Sequence, residues 1–211
     1  MEAILQAEEL SCVRGGRTLF SGLSLRLEAG QCLYVSGDNG SGKTSLLRTL
    51  CGLLAPALGR VLWRGADIAA AREEFGADLA FVGHLNGTKE DLTALENLRL
   101  AAAARGDDDS LARSVEALGR LGLAGRGEVP VRRLSQGQKR RVALARLCTS
   151  RAGVWVLDEP FNALDRGSVE GLRGLIEEQL GRGGVVVLTA HQSLELPAGA
   201  SRLELGAREG S

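Results

Sequence analysis

The feature that most constrains this chain is the run Gly37-Asp38-Asn39-Gly40-Ser41-Gly42-Lys43-Thr44. It fits GxxxxGK[ST], and so does its setting: an apolar strand candidate at 31–36 (QCLYVS) precedes it and a helical pattern at roughly 43–54 follows. Glycines let backbone N–H groups converge on an anion without Cβ clashes, and the helix N-terminus brings a positive dipole end to the same point. Lys43 can reach β- and γ-phosphates, and the Thr44 hydroxyl can ligate Mg²⁺. The plain alternative is a glycine-rich turn before a helix, but it leaves Gly42-Lys43-Thr44 at the strand–helix junction to chance. The motif points to a nucleotide triphosphatase or a kinase without choosing between them.

The remaining segments build an α/β chain around this loop. Residues 2–28 read as short strands, ILQAEELSCV, a GG turn, then LSLRLE with alternating apolar positions. Ala55-Pro56 is expected to close the helix after the loop, because proline cannot continue it. Segments 59–65 (GRVLWRG), 78–82 (DLAFV), 153–157 (GVWVL) and the later GVVVLTAH read as further strands. Continuous apolar runs of this kind suit parallel strands buried on both faces. From about 91 to 150 the chain turns Leu/Ala/Arg-rich with helical spacing, broken at 105–109 and 122–128, which reads as three inserted helices. DDDS at 107–110 reads as a solvated loop with a helix N-cap, and another helix is expected near 166–180.

Composition narrows the partners. The 26 Lys+Arg balance 26 Asp+Glu, which removes the main electrostatic argument for nucleic-acid binding. No segment approaches the ~20 apolar residues of a spanning helix, and the acidic start MEAILQAEEL is no secretory signal. The expectation is a neutral, soluble, intracellular domain with no membrane anchor of its own. Cys12, Cys32, Cys51 and Cys148 form no CxxC pair, and with two His there is no close-spaced Cys/His metal set; reduced thiols are expected. Aromatics are 3%, so Ala, Leu and Val must build the core. Arginine enrichment, alongside Ala and Gly, is read as genome composition and given no functional weight. Of the three lysines, Lys43 is the one inside the phosphate loop.

Two further motifs carry chemistry. Val154-Trp155-Val156-Leu157-Asp158-Glu159-Pro160 is an apolar strand ending in two acids. Asp158 suits Mg²⁺, directly or through water, and Glu159 can polarise an attacking water as general base. Leu134-Ser135-Gln136-Gly137-Gln138 opens a helix. Ser135 is either simply its N-cap or, with the Gly137 amide and the helix dipole, part of a second anion site.

The order GDNGSGKT, LSQGQ, VWVLDEP, ALD and a late histidine resembles that of ATP-binding cassette (ABC) ATPases, over essentially the whole chain. The resemblance implies an α/β fold with a P-loop NTPase (RecA-like) core, an N-terminal antiparallel β subdomain and an inserted helical signature subdomain. It implies one domain over 1–211, with the core at about 1–84 and 151–211 and the helical part at about 85–150. It implies that two copies pair head to tail, with ATP and Mg²⁺ between one phosphate loop and the partner's signature helix. Carried over, Gly37, Asp38, Asn39, Gly40, Ser41, Gly42, Lys43, Thr44 and Ser45 bind nucleotide, and Thr44 and Asp158 hold the metal. Glu159, His191 and Lys43 are catalytic, His191 as the switch histidine on the γ-phosphate. Ser135 and Gly137 contact the partner's nucleotide, and Asp165 lies in the loop lining the dimer seam. Three positions depart from the pattern. Gln136 replaces a glycine and is expected to affect packing. His84 replaces the glutamine after the strand at 78–83; imidazole suits Mg²⁺ poorly, so a water-mediated or coupling role is expected. Arg14 stands where an aromatic usually stacks on adenine; stacking of its guanidinium on the base and simple solvent exposure are the two readings.

Residues 81–98, FVGHLNGTKEDLTALENL, narrow the resemblance to the cytochrome c biogenesis haem exporter ATP-binding protein family. That family implies an integral membrane subunit, other cytochrome c maturation proteins as partners, and a peripheral place on the cytoplasmic face of the bacterial inner membrane. It also implies haem export or haem release driven by ATP. An ABC exporter for a drug or lipid, or a soluble non-transport ABC ATPase, are the alternatives. A GTPase is disfavoured: Thr88-Lys89-Glu90-Asp91 follows HLNG rather than an apolar strand, and no DxxG follows the phosphate loop.

Overall fold

The structure, a computed structural model, describes residues 3–106, 110–189 and 199–206. The chain opens with a hairpin of two 12-residue strands, β1 (Ala3–Arg14) and β2 (Arg17–Glu28). Gly15 and Gly16 both have positive φ, 56° and 73°, so the two-residue turn is of the primed type whose twist matches paired strands. A bulge at Glu9 shifts the register between the Ala7–Leu25 and Leu10–Leu23 pairs. There follow β3 (Cys32–Gly37), α1 (Lys43–Leu50), β4 (Leu58–Trp63), β5 (Ala66–Asp67), α2 (Arg72–Ala77) and β6 (Leu79–Val82). The helices α3 (Ala94–Ala103), α4 (Leu111–Arg120) and α5 (Gln136–Thr149) are the three expected between 91 and 150. The chain continues through β7 (Val154–Leu157), α6 (Arg166–Gly181), β8 (Val185–Thr189) and β9 (Ser201–Leu205).

α1 ends earlier than expected, and proline is not the reason. Gly52, at φ 69°, takes the left-handed position after the Cys51 cap. Its N–H reaches Thr49 O at 3.0 Å and the Leu53 N–H reaches Arg48 O at 2.9 Å. These two bonds satisfy the last carbonyls in a Schellman arrangement, which stops the helix at Leu50, ahead of Pro56.

The residues form two compact units. The first comprises Met1–Phe81, Ala152–Glu159 and Gln179–Ser211. Its antiparallel sheet has the order β2-β1-β4-β5, and the second sheet runs β6-β7-β8-β3-β9. In the second sheet β7, β8, β3 and β9 pair in parallel, with Val156 opposite Val187, Val35 opposite Thr189 and Val35 opposite Leu203. Parallel pairing sends the C-terminal ends of β3, β7 and β8 to one edge, where open α/β sheets place their ligands. The core is aliphatic, as the aromatic-poor composition requires: Leu5, Leu10 and Leu27 from the hairpin, Leu46, Leu47 and Leu50 from α1, Val35, Val156 and Val187 from the strands. Burial of each Leu contributes about 1.5–3 kcal/mol.

The second unit, Val82–Arg151 with Pro160–Glu178, is helical. Its three inserted helices start on side-chain caps. Thr93 and Glu96 form a capping box on α3, Ser110 accepts the Arg113 N–H on α4, and Ser135 and Gln138 form a second box on α5. Ser110 is thus the cap that DDDS suggested; Asp107, Asp108 and Asp109 lie outside the described residues. No helix among the described residues is long and apolar enough to cross a membrane.

Candidate functional site

The phosphate-loop glycines sit where other residues do not fit. Gly37 has φ 138°, and a Cβ there would lie 2.3 Å from Leu205 O on β9. Gly42, at φ 104°, caps α1, and its Cβ would come within 3.1 Å of Leu19 Cβ on β2. The result is a tight bend that opens onto the first turn of α1, whose leading N–H groups have no intrahelical acceptor. Lys43 is buried, and its Nζ donates to Gly37 O at 2.7 Å and Asp38 O at 2.9 Å. An ammonium has three donors, so the two bonds that brace the loop leave one for an anion. Ser41 turns its hydroxyl back toward Gly37, where it is buried without a hydrogen-bond partner among the described residues.

Opposite the loop stand the acids that end β7. Asp158 is 1% exposed. Its Oδ2 accepts from Thr44 Oγ1 at 2.9 Å and its Oδ1 from Thr189 Oγ1 at 2.8 Å. Thr189 Oγ1 in turn accepts the Glu159 N–H at 2.8 Å. Glu159 follows with φ 48°, a left-handed conformation uncommon for a residue with a side chain. It lines a cavity of ≈ 250 Å³ together with Leu19, Asn39, Gly40, Gly42, Lys43, Thr44 and Ser45. A hydroxyl and a carboxylate meeting at Thr44–Asp158 are the hard oxygen donors that Mg²⁺ takes, so this donor set fits the metal. Behind it, burial and secondarily the Asp158 charge push the Cys51 thiol far above its ordinary range, keeping it protonated. A larger cavity of ≈ 450 Å³, between the end of α1, β4 and α2, is lined by Cys51, Ile68, Phe75 and Leu79 but by none of the motif residues.

The predicted residues outside this cluster divide as follows. Arg14, at the exposed end of β1, is opposite Arg17 and does not line the ≈ 250 Å³ cavity. In the helical unit Ser135 is exposed at the N-terminus of α5, its Oγ accepting the Gln138 N–H at 3.2 Å. The capping reading of Ser135 is therefore realised in the structure. Gln136 is exposed, so its longer side chain does not enter the packing. Gly137 is the tight position: a Cβ there would lie 2.7 Å from Ala163 O. Asp165 caps the start of α6, accepting the Ser168 N–H at 2.8 Å. The hydrogen bonds from Ser168, with Arg141 nearby, hold its carboxyl below the usual range. His84 is exposed in the loop after β6. His191 lies outside the described residues. Thr189 was not singled out in the sequence; its signal is a hydroxyl residue closing an otherwise aliphatic strand, VVVLT.

A glycine loop joining a parallel strand to a helix, facing a buried carboxylate and a second acid at the end of β7, two strands away in the same sheet, defines the P-loop nucleotide-binding class. The fold matches solved structures of that class. An ATP-binding subunit of an ABC transporter superposes with a TM-score of 0.82 at 25% identity, covering 89% of this chain and 79% of that one. A dimeric ATP-binding cassette described in a post-hydrolysis state with ADP and Pi superposes at 0.79 with 23% identity, over 89% and 88% of the two chains. The chain belongs to the ABC transporter family, whose model matches residues 20–162. It is 50% identical to a cytochrome c biogenesis ATP-binding export protein, CcmA, of Dechloromonas aromatica, over 96% of this chain and 100% of the relative. With the CcmA of Pseudomonas aeruginosa it shares 49% identity over 92% of this chain and 95% of the relative.

Proposed function

We propose that this ABC-type ATPase powers a bacterial export complex for c-type cytochrome maturation, with haem as the group handled. The observation that carries the catalytic reading is the convergence of Lys43, the Thr44–Asp158 pair and Glu159 on one cavity at the sheet edge. The system is supported by near-full-length likeness, at 50% and 49% identity, to relatives named as cytochrome c biogenesis ATP-binding export proteins.

The residues divide the work as phosphoryl transfer demands, by positioning and charge rather than covalent chemistry. The loop from Gly37 to Ser45, with the first N–H groups of α1, cradles the phosphates, and Lys43 gives its third donor to a β- or γ-phosphate oxygen. Thr44 and Asp158 hold Mg²⁺, which when bound neutralises charge on the phosphate oxygens. Glu159 accepts the proton of the attacking water on its carboxylate. Ser135 and Gly137 serve the nucleotide of a second copy, head to tail. The Ser135 hydroxyl keeps its proton for a γ-phosphate oxygen while its lone pair caps α5. His191 contacts the γ-phosphate, Asp165 lies at the seam, the Arg14 guanidinium is the group available to stack on adenine, and His84 takes a water-mediated or coupling role rather than ligating metal. The chain works as a single cassette, with its core at about 1–84 and 151–211 and the helical part at about 85–150. A separate integral membrane subunit supplies the path, and this chain sits peripherally on the cytoplasmic face of the inner membrane, with other maturation proteins as partners.

Replacement of Glu159 by Gln tests this reading. The purified variant is expected to bind ATP as the parent does, to release phosphate at a rate lowered about 100-fold or more, and to accumulate as an ATP-bound dimer on size exclusion. A bacterium carrying only this variant is expected to lose haem-stained c-type cytochromes. Unchanged phosphate release would remove Glu159 as base, and intact cytochrome staining with a stalled ATPase would remove the cytochrome assignment.

A further inference from the structure

Thr189 closes β8 and is fully buried. Its one hydroxyl ties together the two acids of the site, donating to Asp158 Oδ1 and accepting the Glu159 N–H, each at 2.8 Å. A hydroxyl has a single proton. Because that proton goes to a carboxylate, the lone pair is what meets the Glu159 amide, so the polarity of both bonds is fixed. Glu159 needs such an anchor: its φ of 48° is sparsely populated for a residue with a side chain, and such a conformation persists only where the surroundings over-determine it. Asp158 is held from both sides, Oδ1 by Thr189 and Oδ2 by Thr44 at 2.9 Å, which leaves its carboxylate one orientation.

We infer that Thr189 is a positioning residue for hydrolysis: its hydroxyl fixes the peptide that aims Glu159 and sets the carboxylate plane of Asp158 toward Thr44. This rests on the roles proposed above for Glu159 and Asp158. A valine in its place keeps the shape and the strand preference but turns a methyl toward a buried amide and a buried carboxylate oxygen. The Glu159 peptide is then free to leave its strained setting, and the base loses its aim while the phosphate loop stays as it was.

The test compares ATP affinity and steady-state phosphate release for the parent, Thr189→Val, Thr189→Ala, Thr189→Ser and Glu159→Gln. Thr189→Val is expected to lower kcat about 10- to 100-fold, the scale of a displaced catalytic group, with ATP Kd and KM within about twofold. It is also expected to raise the Mg²⁺ concentration giving half-maximal rate. Thr189→Ser, which restores the hydroxyl, is expected to stay within about threefold of the parent, and Thr189→Ala, which cannot overpack, to match valine. A parent-like kcat for Thr189→Val, an equal fall for Thr189→Ser, or loss of ATP affinity in step with kcat would each overturn the inference. If Glu159→Gln stalls while Thr189→Val does not, the inference fails alone; if Glu159→Gln turns over like the parent, the catalytic reading fails and this inference with it.

Discussion

Glycine and lysine in the phosphate loop do more than approach an anion. Gly37 makes room for the Leu205 carbonyl at the point where β3 becomes the loop, and Lys43 braces the loop through the Gly37 and Asp38 carbonyls. Replacing Lys43 by Ala therefore removes both the proposed phosphate donor and two internal bonds. Its expected effect is a loss of ATP affinity of about 10- to 100-fold, from a charge-assisted contact contributing roughly 1.5–3 kcal/mol, read by titration with a fluorescent ATP analogue. Affinity equal to the parent's would place the ammonium elsewhere. Lys43, Thr44, Asp158 and Glu159 were legible in the sequence because each sits in a short motif with its own spacing. Thr189 was not, because its partner Asp158 is 31 positions away and only strand pairing brings the two together.

At the level of elements, α5 ties down the loop that carries His84. Arg140, on that helix, donates through Nη1 to Gly83 O at 2.7 Å, and Arg146 donates to Asn86 O at 2.8 Å and Gly87 O at 3.2 Å. Lys139 adds an ion pair to Glu90 at 2.7 Å. Arginine richness, read from the sequence as genome composition, is here put to structural use: the helix capped by Ser135 clamps residues 83–90. Arg140→Ala is expected to weaken the local packing of the 83–90 loop on α5 by about 1–3 kcal/mol, because the Gly83 carbonyl loses a charged donor. It is also expected to speed amide exchange across 83–90, measured by mass spectrometry, while exchange in β3 and α1 stays unchanged. Uniform exchange through the chain, or none gained, would show that the clamp does not hold the loop. The three inserted helices were readable from spacing and caps, whereas the end of α1 was misread. Proline is a visible stop signal, but the glycine already in left-handed position at 52 acts first.

Over the whole molecule, the four thiols are free, three of them buried and Cys148 partly so. Burial pushes Cys32 up to about 11, and pushes Cys148 up to about 11 despite the opposing Arg120. Between the ordinary thiol range near 9 and these values, the unfolded chain has lost protons that the folded chain keeps, so stability falls as pH rises through that window. Urea midpoints are expected to drop between about pH 8.5 and 10.5, and Cys32→Ala is expected to flatten part of the drop. In native protein at pH 8 these thiols should react slowly with a disulfide reagent and promptly once unfolded. Fast native labelling, or a flat alkaline profile, would contradict the burial.

What the sequence determined by itself is local. The phosphate loop, the capped helices, the aliphatic strands and the acids closing 153–159 are all signalled by neighbours within a few residues, where backbone propensity, glycine and side-chain caps act. The tertiary structure decided which distant pieces meet. The order β6-β7-β8-β3-β9 places Thr44 against Asp158 across 114 positions, Thr189 between Asp158 and Glu159, and Leu205 over Gly37. β9 has five residues, and its brief alternation Arg202-Leu203-Glu204-Leu205 is too short to say which strand it pairs with. The physical reason is that hydrogen bonds across a parallel sheet depend on strand order and register, and neither is written in the spacing of any single segment.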